Sequence, residues 1–92
     1  MSGQVADQQR ALVTGGGVRI GRAIALALGS AGWQVAVHYR RSEVPALEVV
    51  DLLRDAGSGG VALRADLSDA DQIPGLIRNV ESELGGLDLL VN

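Results

Sequence analysis

The glycine-rich segment from Thr14 to Gly21 contains the residues best suited to binding an anion. Gly15 and Gly17 let the chain turn sharply, so that backbone N–H groups can approach a ligand closely. The helix that follows offers unpaired N–H donors and a partial positive charge, which together favour a diphosphate. Because the segment follows a short apolar strand and opens a helix, it indicates a dinucleotide site. A glycine-rich turn without a ligand is the alternative.

A second candidate cluster, His38 to Ser42, follows the next apolar run. An NAD site usually carries a carboxylate here, about 20 residues past the glycine turn, to accept hydrogen bonds from the ribose 2′-hydroxyl. None occurs from Gln34 to Ser42, and Arg40 and Arg41 are present instead. Guanidinium groups bind a 2′-phosphate through charge-assisted hydrogen bonds, and Arg19, leaving the glycine turn, could reach the same phosphate. The cluster predicts NADPH as the cofactor, with a solvated arginine pair as the alternative.

Both clusters are positioned by a regular alternation of strands and helices. We predict strands over Arg10–Thr14, Gln34–Tyr39, Val61–Ala65 and Leu87–Val91, and helices over Ile20–Ala31, Ser42–Ala56 and Ser68–Leu84. Connections of crossover length and the right-handed rule then give a parallel sheet of strand order 3-2-1-4. The predicted fold class is α/β, a Rossmann-type doubly wound parallel sheet of which this chain holds the first βαβαβαβ portion.

Several finer features of the helices are also predicted. The first helix should face the sheet with large apolar residues beside small ones, namely Ile20, Ile24 and Leu28 beside Ala23, Ala27 and Ala31. Ser42 is expected to cap the second helix, and Ser68 with Asp71 to form a capping box for the third. Pro74 predicts a kink or a late start in the third helix, whose buried face should comprise Ile77, Val80 and Leu84.

The strand order reverses between the first and fourth strands. Open α/β sheets bind ligands at such a point, beyond the carboxyl ends of their strands. Four segments lie at these ends: Thr14–Gly17, His38–Ser42, Asp66–Leu67 and Asn92. We therefore expect them to converge on one site. Helix capping is the alternative role for Asp66, and a satisfied strand-end imidazole is the alternative for His38.

Composition limits the classes of function. The 92 residues carry a formal net charge of −3, no cysteine, one histidine and, among eight basic residues, no lysine. These counts argue against a general nucleic-acid surface, against thiolate or histidine metal sites and against cysteine nucleophiles. Uncharged runs are too short to span a membrane. Residues 1–9 are expected to form a flexible leader with no secretion signal, and a cytoplasmic location is the default expectation.

The segment Thr14-Gly-Gly-Gly-Val-Arg-Ile-Gly21 resembles the T-G-x-x-x-G-x-G turn of the short-chain dehydrogenase/reductase family, and the likeness continues through the chain after Gln9. Arg19 replaces the family's middle glycine. The spacing excludes the extended relatives, whose third-position glycine would fall on Val18. Together with Arg19, the segment His38-Tyr-Arg-Arg-Ser42 is similar to the H-Y-x-R-S signature of the pteridine reductase branch, which reduces pterins or folates with NADPH.

This resemblance implies roles for individual residues. It implies that Arg19, Arg41 and Ser42 bind the 2′-phosphate. It also implies that Tyr39 and Arg40 surround the adenosine and that Asp66 and Leu67 contact the adenine. Asn92 begins a family segment that lines the ribose and the nicotinamide approach. The expected NADPH-binding residues are Gly15, Gly17, Arg19, Ile20, Gly21, His38, Tyr39, Arg40, Arg41, Ser42, Asp66, Leu67 and Asn92.

Catalysis in this family uses a tyrosine with a lysine four residues later, a pair that this chain does not contain. Its single tyrosine, Tyr39, is followed four residues on by Glu43, and lysine is absent. We therefore expect residues 10–92 to be the N-terminal part of a single NADP-binding Rossmann domain, truncated after the fourth strand. The catalytic residues would lie beyond Asn92, and the chain alone would be inactive. The resemblance also implies a homotetramer.

Three functions follow as hypotheses. The leading one is the NADPH-binding half of a pteridine or dihydrofolate-type reductase, which transfers hydride from NADPH to a small-molecule substrate. The second is a 3-oxoacyl-carrier-protein reductase or another short-chain carbonyl reductase. The third, from a different class, is a non-catalytic NADPH-binding module. Arg19 and the segment from His38 to Ser42 favour the first.

Overall fold

The computed structural model describes residues 8–92, which form one parallel sheet with helices on both faces. The strands are β1 (Arg10–Val13), β2 (Gln34–Tyr39), β3 (Gly60–Arg64) and β4 (Leu89–Val91). The helices are α1 (Arg19–Ser30), α2 (Glu43–Asp55) and α3 (Ile73–Leu84), and a 3-10 helix (Ala70–Gln72) precedes α3. The strand order is β3-β2-β1-β4, so the predicted α/β fold and its strand order 3-2-1-4 are confirmed.

The two residues before β1 are hydrogen-bonded to the chain at the start of β2. The side-chain amide of Gln8 donates to the carbonyl of Gly32 at 3.4 Å, and the carbonyl of Gln9 accepts from the N–H of Gln34 at 2.9 Å. Residues 1–7, which make up most of the predicted leader, lie outside the described residues.

Helices cover both faces of β1 and β2, which explains the continuous apolar character of these strands. Alternate residues of a strand point to opposite faces, so each strand contributes to two separate clusters. The cluster beneath α1 and α2 includes Val13, Val35, Val37, Val49 and Leu53. The cluster beneath α3 includes Leu12, Ala36, Leu76, Val80 and Leu84.

Helix α1 contacts the sheet through different residues from those predicted. Its buried residues are Ala25 and Gly29, whereas Ile20 is 76% exposed and the predicted small-residue face is exposed as well. A β-carbon on Gly29 would collide with the side chain of Leu53 in α2. The smallest residues therefore lie where α1 approaches its neighbours most closely, while Ile24 and Leu28 pack at the margins. A pattern of large apolar residues cannot reveal a contact made by alanine and glycine.

The start of α3 corrects a second prediction. Ser68 forms no capping box: its hydroxyl donates to the carboxylate of Asp66, and Asp69 is the capping residue, accepting from the N–H of Asp71 at 3.0 Å. The 3-10 helix follows, and α3 begins only at Ile73. Pro74 then lies in the first turn, where its missing N–H costs no hydrogen bond.

The late start predicted for α3 is thus confirmed, and its buried face is close to the expected one. Leu76, Val80 and Leu84 are buried, and Ile77 is half-buried beside them. The helix ends at Gly85, whose φ of 86° is left-handed and whose N–H donates to the carbonyl of Glu81.

Strand β4 is shorter than predicted and is aligned on β1 by a reciprocal pair of bonds just before it. The N–H of Arg10 donates to the Asp88 carboxylate at 3.0 Å, and the N–H of Asp88 donates to the carbonyl of Arg10 at 2.9 Å. The Arg10 guanidinium also donates to the carbonyl of Leu84 at the end of α3. Sheet pairing then runs from Leu89 to Val91, which brings Asn92 beside the end of β1.

Candidate functional site

A cleft of about 220 Å³ lies beyond the carboxyl ends of β1 and β2. Its lining residues are Gly15, Gly17, Val18, His38, Tyr39, Arg40, Arg41 and Ser42. All of these except Val18 belong to the predicted set. Val18 lies between two predicted residues of the glycine turn, but its side chain carries no chemistry that would have singled it out.

Three glycines of the turn occupy positions that disfavour a side chain, Gly15 by its backbone conformation and Gly17 and Gly21 by close packing. Gly15 has a φ of 62°, in the left-handed region that favours glycine. A β-carbon on Gly17 would lie 2.8 Å from the backbone nitrogen of Ala46 in α2, and one on Gly21 would collide with the carbonyl of Gly15. The turn is therefore packed closely against α1 and α2, and Gly15 and Gly17 line the cleft.

The first turn of α1 provides the donors of this site. The first N–H groups of an α-helix have no partner within the helix, and those of Ile20 and Gly21 fall in this class. Val18, at the N-cap position, has an extended backbone and makes no side-chain capping bond. No acidic residue occupies the first turn of the helix. The positive end of α1 is thus available to an anion.

Arg19 has an unusual backbone conformation. Its φ is 52°, and among residues 8–92 no other non-glycine residue has a positive φ. A left-handed conformation costs an L-residue about 1–2 kcal/mol, which is why glycine is the common choice at such places. The chain therefore carries arginine where the local geometry favours glycine, and strain of this kind is typical of a functional position.

The arginines of the second cluster differ in their pairing. Arg40 lies 3.4 Å from the carboxylate of Asp66, which links the ends of β2 and β3. Within the described residues, neither Arg41 nor Arg19 has a carboxylate within 4.0 Å. The two arginines are exposed, so their charge is available to a ligand.

Ser42 occupies the N-cap position of α2, as predicted, but its side chain makes no capping hydrogen bond. Its backbone carbonyl accepts the N–H of Ala46 at 3.2 Å, so the helix begins without help from the hydroxyl. Ser42 lines the cleft beside Arg41. The predicted side-chain capping interaction is therefore wrong, although Ser42 does occupy the N-cap position.

His38 is buried, with 5% of its surface exposed, and both of its ring nitrogens are hydrogen-bonded. Nδ1 lies 3.1 Å from the backbone nitrogen of Gly15, and Nε2 lies 2.8 Å from the carbonyl oxygen of Ala65. The imidazole thus joins the glycine turn to the end of β3.

Tyr39 and Asp66 have shifted pKa values. Partial burial of the phenol and its hydrogen bond to the Glu43 carboxylate raise the pKa of Tyr39 above its usual 10.0. The hydroxyl and backbone N–H of Ser68 donate to Asp66 and hold the pKa of its carboxyl below 3.8, with a smaller contribution from Arg40. At neutral pH Tyr39 is a neutral donor and Asp66 is an anion.

Six of the predicted residues do not line this cleft, namely Arg19, Ile20, Gly21, Asp66, Leu67 and Asn92. Leu67 and Asn92 line a second pocket of about 230 Å³ on the α3 face of the sheet, together with Leu12, Thr14, Ile73, Leu76, Ile77 and Leu90. The hydroxyl of Thr14 lies 3.0 Å from the side-chain oxygen of Asn92, and this contact connects the two regions at the end of β1. The structure thus brings seven of the thirteen predicted residues to the first cleft and two to the second pocket.

Residues 8–92 contain no group of three or more histidine, cysteine or acidic side chains that could hold a metal ion. In the same part of the chain, no helix has the length and apolar character needed to cross a membrane.

Comparison with known proteins gives the family of the chain. Residues 9–92 match the short chain dehydrogenase family. The chain belongs to this family. A 3-oxoacyl-[acyl-carrier-protein] reductase of Staphylococcus aureus is 44% identical over 82 residues, which are 89% of this chain and 33% of that protein. The short-chain dehydrogenase/reductase homolog YusS of Bacillus subtilis is 40% identical over 82 residues, or 75% of its length.

Solved structures of short-chain dehydrogenases have the same fold. One from Burkholderia cenocepacia in complex with NADP matches with a TM-score of 0.88 and 40% identity, covering 91% of this chain and 34% of that one. The alternative dihydrofolate reductase 1 FolM from Brucella canis, complexed with NADP, matches with a TM-score of 0.84 and 34% identity, covering 89% and 33%. The chain spans about a third of the length of most of these relatives.

Proposed function

We propose that this chain is the NADPH-binding half of a short-chain oxidoreductase. The observation that carries the proposal is a pair of arginines, Arg41 in the cleft and Arg19 next to the cleft residue Val18, neither of which pairs with a carboxylate of residues 8–92. The strand-end segment has no acidic residue before Glu43. A carboxylate there would accept from a ribose hydroxyl and repel a phosphate. Two guanidinium groups favour the phosphate instead.

The described residues fit such a cofactor. Free N–H groups at the start of α1 would bind the diphosphate, and Gly15 and Gly17 line the adjacent cleft. Arg19, Arg41 and the uncommitted hydroxyl of Ser42 would bind the 2′-phosphate. The cleft is smaller than the usual range of about 300–1,000 Å³ for small-molecule sites, which suits one end of a dinucleotide.

The remaining assignments follow the strand ends. Tyr39 and Arg40 would surround the adenosine, with Asp66 contacting the adenine after its ion pair with Arg40 rearranges. Leu67 and Asn92 would contact the cofactor from the α3 face. Ile20, the most exposed large apolar residue of the glycine turn region, would pack on the cofactor beyond the diphosphate.

NADPH would supply the hydride when bound, and the residues of this chain would bind and orient it. No proton donor of the family type is present here, since Tyr39 donates to Glu43 and the sequence contains no lysine. We place the catalytic tyrosine and lysine beyond Asn92, within the part of the relatives that this chain does not cover. The 92 residues alone should therefore bind cofactor without reducing a substrate. By resemblance to the family we also propose a cytoplasmic homotetramer.

For the substrate, we favour a pterin or dihydrofolate-type compound. Support comes from Arg19 with the segment from His38 to Ser42, and from the likeness to the Brucella dihydrofolate reductase. The likeness to the Staphylococcus 3-oxoacyl reductase supports the second candidate, a carbonyl reductase. NADPH oxidation by the full-length protein, measured with dihydrofolate, dihydrobiopterin and a 3-oxoacyl thioester, tests the choice. Turnover of the thioester alone would overturn the pterin assignment.

A non-catalytic NADPH-binding module is the remaining candidate. Its support is that this chain covers 75% of the Bacillus homolog, a relative of comparable length. The residues that follow Asn92 in the full-length protein decide the question. A Tyr-x-x-x-Lys sequence there would establish the enzyme, and its absence would favour the module.

A further inference from the structure

His38 makes an unusual set of contacts for a strand residue. Among residues 8–92 it is the one buried polar or charged side chain, and it lies between the glycine turn and the end of β3. Its backbone carbonyl accepts the N–H of Gly16 at 3.2 Å, and its ring contacts Gly15 and Ala65. The N–H groups of the first two glycines of the turn are therefore both directed at His38.

The chemistry of these partners determines which ring nitrogen carries the proton. A backbone N–H can only donate, so Nδ1 must accept from Gly15. A carbonyl oxygen can only accept, so Nε2 must donate to Ala65. Only the imidazole tautomer with its proton on Nε2 satisfies both bonds. The hydrogen bond to the carbonyl of Ala65 therefore fixes this tautomer and leaves Nδ1 free to accept the N–H of Gly15.

We propose that His38 is a positioning residue for the diphosphate, acting through the backbone of the glycine turn. This inference rests on the proposed function, because it takes the turn to be a diphosphate site. By accepting from Gly15 and Gly16, His38 fixes the left-handed conformation of Gly15 and directs these two N–H groups inward. The donors left for the ligand are those at the start of α1, held in place before the ligand arrives.

Two variants separate the bond to the turn from the bond to β3. In His38→Asn the amide oxygen can take the place of Nδ1, so the acceptor for Gly15 is kept. In His38→Leu a side chain of similar volume offers no acceptor, and the partly buried N–H of Gly15 loses its partner. His38→Gln, whose longer amide reaches towards Ala65 but not Gly15, replaces His38→Leu if the latter does not fold.

The test is calorimetric titration of the full-length protein with three ligands. Two of them, 2′-phospho-ADP-ribose and ADP-ribose, contain the diphosphate, and adenosine 2′-monophosphate lacks it. We expect His38→Leu to weaken both diphosphate ligands by about fivefold, because a turn no longer held by a hydrogen bond of about 1 kcal/mol must be ordered when the ligand binds. Its affinity for adenosine 2′-monophosphate should stay within about twofold, and His38→Asn should recover most of the loss.

The outcomes distinguish this inference from the proposed function. Equal loss for all three ligands would show that His38 only supports the fold, and no loss for the diphosphate ligands would also overturn the inference. If wild-type protein binds ADP-ribose as tightly as its 2′-phospho form, the NADPH assignment fails, while the effect of His38→Leu on ADP-ribose still tests the positioning role. A wild-type protein that binds none of the three refutes both.

Discussion

Replacing Arg19 with glycine should weaken NADPH binding without loss of stability. Arg19 has a φ of 52°, which costs an L-residue about 1–2 kcal/mol relative to the right-handed conformation. Glycine removes this strain but loses about 0.5–1 kcal/mol through its greater freedom in the unfolded chain. The difference predicts that Arg19→Gly leaves the free energy of unfolding unchanged or raises it by about 0–1.5 kcal/mol.

The effect on the cofactor should be large and selective. A hydrogen bond to a charged group contributes about 1.5–3 kcal/mol, which corresponds to about 10- to 150-fold in the dissociation constant. Arg19→Gly should therefore raise the KM for NADPH by about this factor and leave the KM for NADH within about threefold. Steady-state kinetics of the full-length protein with both cofactors would measure this selectivity.

Arg19→Ala is the matched variant. It removes the same guanidinium but keeps a β-carbon in the left-handed conformation, so it should lose as much NADPH affinity as Arg19→Gly. It should be the less stable of the two by about 1 kcal/mol in urea unfolding. The reasoning is refuted if glycine is the more destabilising replacement, or if either variant changes the KM for NADH and NADPH equally.

Further predictions concern stability and the pKa of Asp66. Gly17→Ala should lower the free energy of unfolding by about 1–3 kcal/mol, because its β-carbon would lie 2.8 Å from the backbone of Ala46. Gly75 lies in α3, and the nearest atom to a β-carbon added there is 3.8 Å away, so Gly75→Ala should raise the free energy of unfolding by about 0.5–1 kcal/mol. If thermal melts show that Gly75→Ala destabilises the protein as much as Gly17→Ala, close packing is not the cause of the loss at Gly17. The lowered pKa of Asp66 means that its carboxylate stabilises the fold above about pH 3.8 and that this contribution is lost as pH falls through the folded-state pKa. Ser68→Ala should raise that pKa in an NMR titration, and no change would show that the hydrogen bond from Ser68 is not its cause.

The sheet and the position of the site followed from local patterns in the sequence. Short β-branched runs alternating with helical segments gave the strand order, and the rule for parallel sheets brought Gly15, Arg41 and Asp66 to one edge. The absence of a carboxylate at the end of β2 could be predicted because it requires only the identity of the residues there. These features need no knowledge of how side chains pack.

Other features depend on three-dimensional contacts that no local pattern contains. The left-handed φ of Arg19 arises where the turn enters α1, and the buried face of Ala25 and Gly29 arises from close approach to α2. Asp69 replaced the expected Ser68 as a cap because Ser68 was already bonded to Asp66. Each of these features depends on how two or more chain segments are placed relative to one another, which the sequence of one segment does not reveal.

We propose that Arg19 and Arg41 select the 2′-phosphate. The ratio of kcat/KM for NADPH to that for NADH, measured in wild-type protein and in the Arg19→Ala/Arg41→Ala double variant, tests this selection. We predict a wild-type preference for NADPH that falls by about 100-fold in the double variant, since two contacts of at least about 1.5 kcal/mol are removed. A ratio that is the same in both proteins would contradict the account.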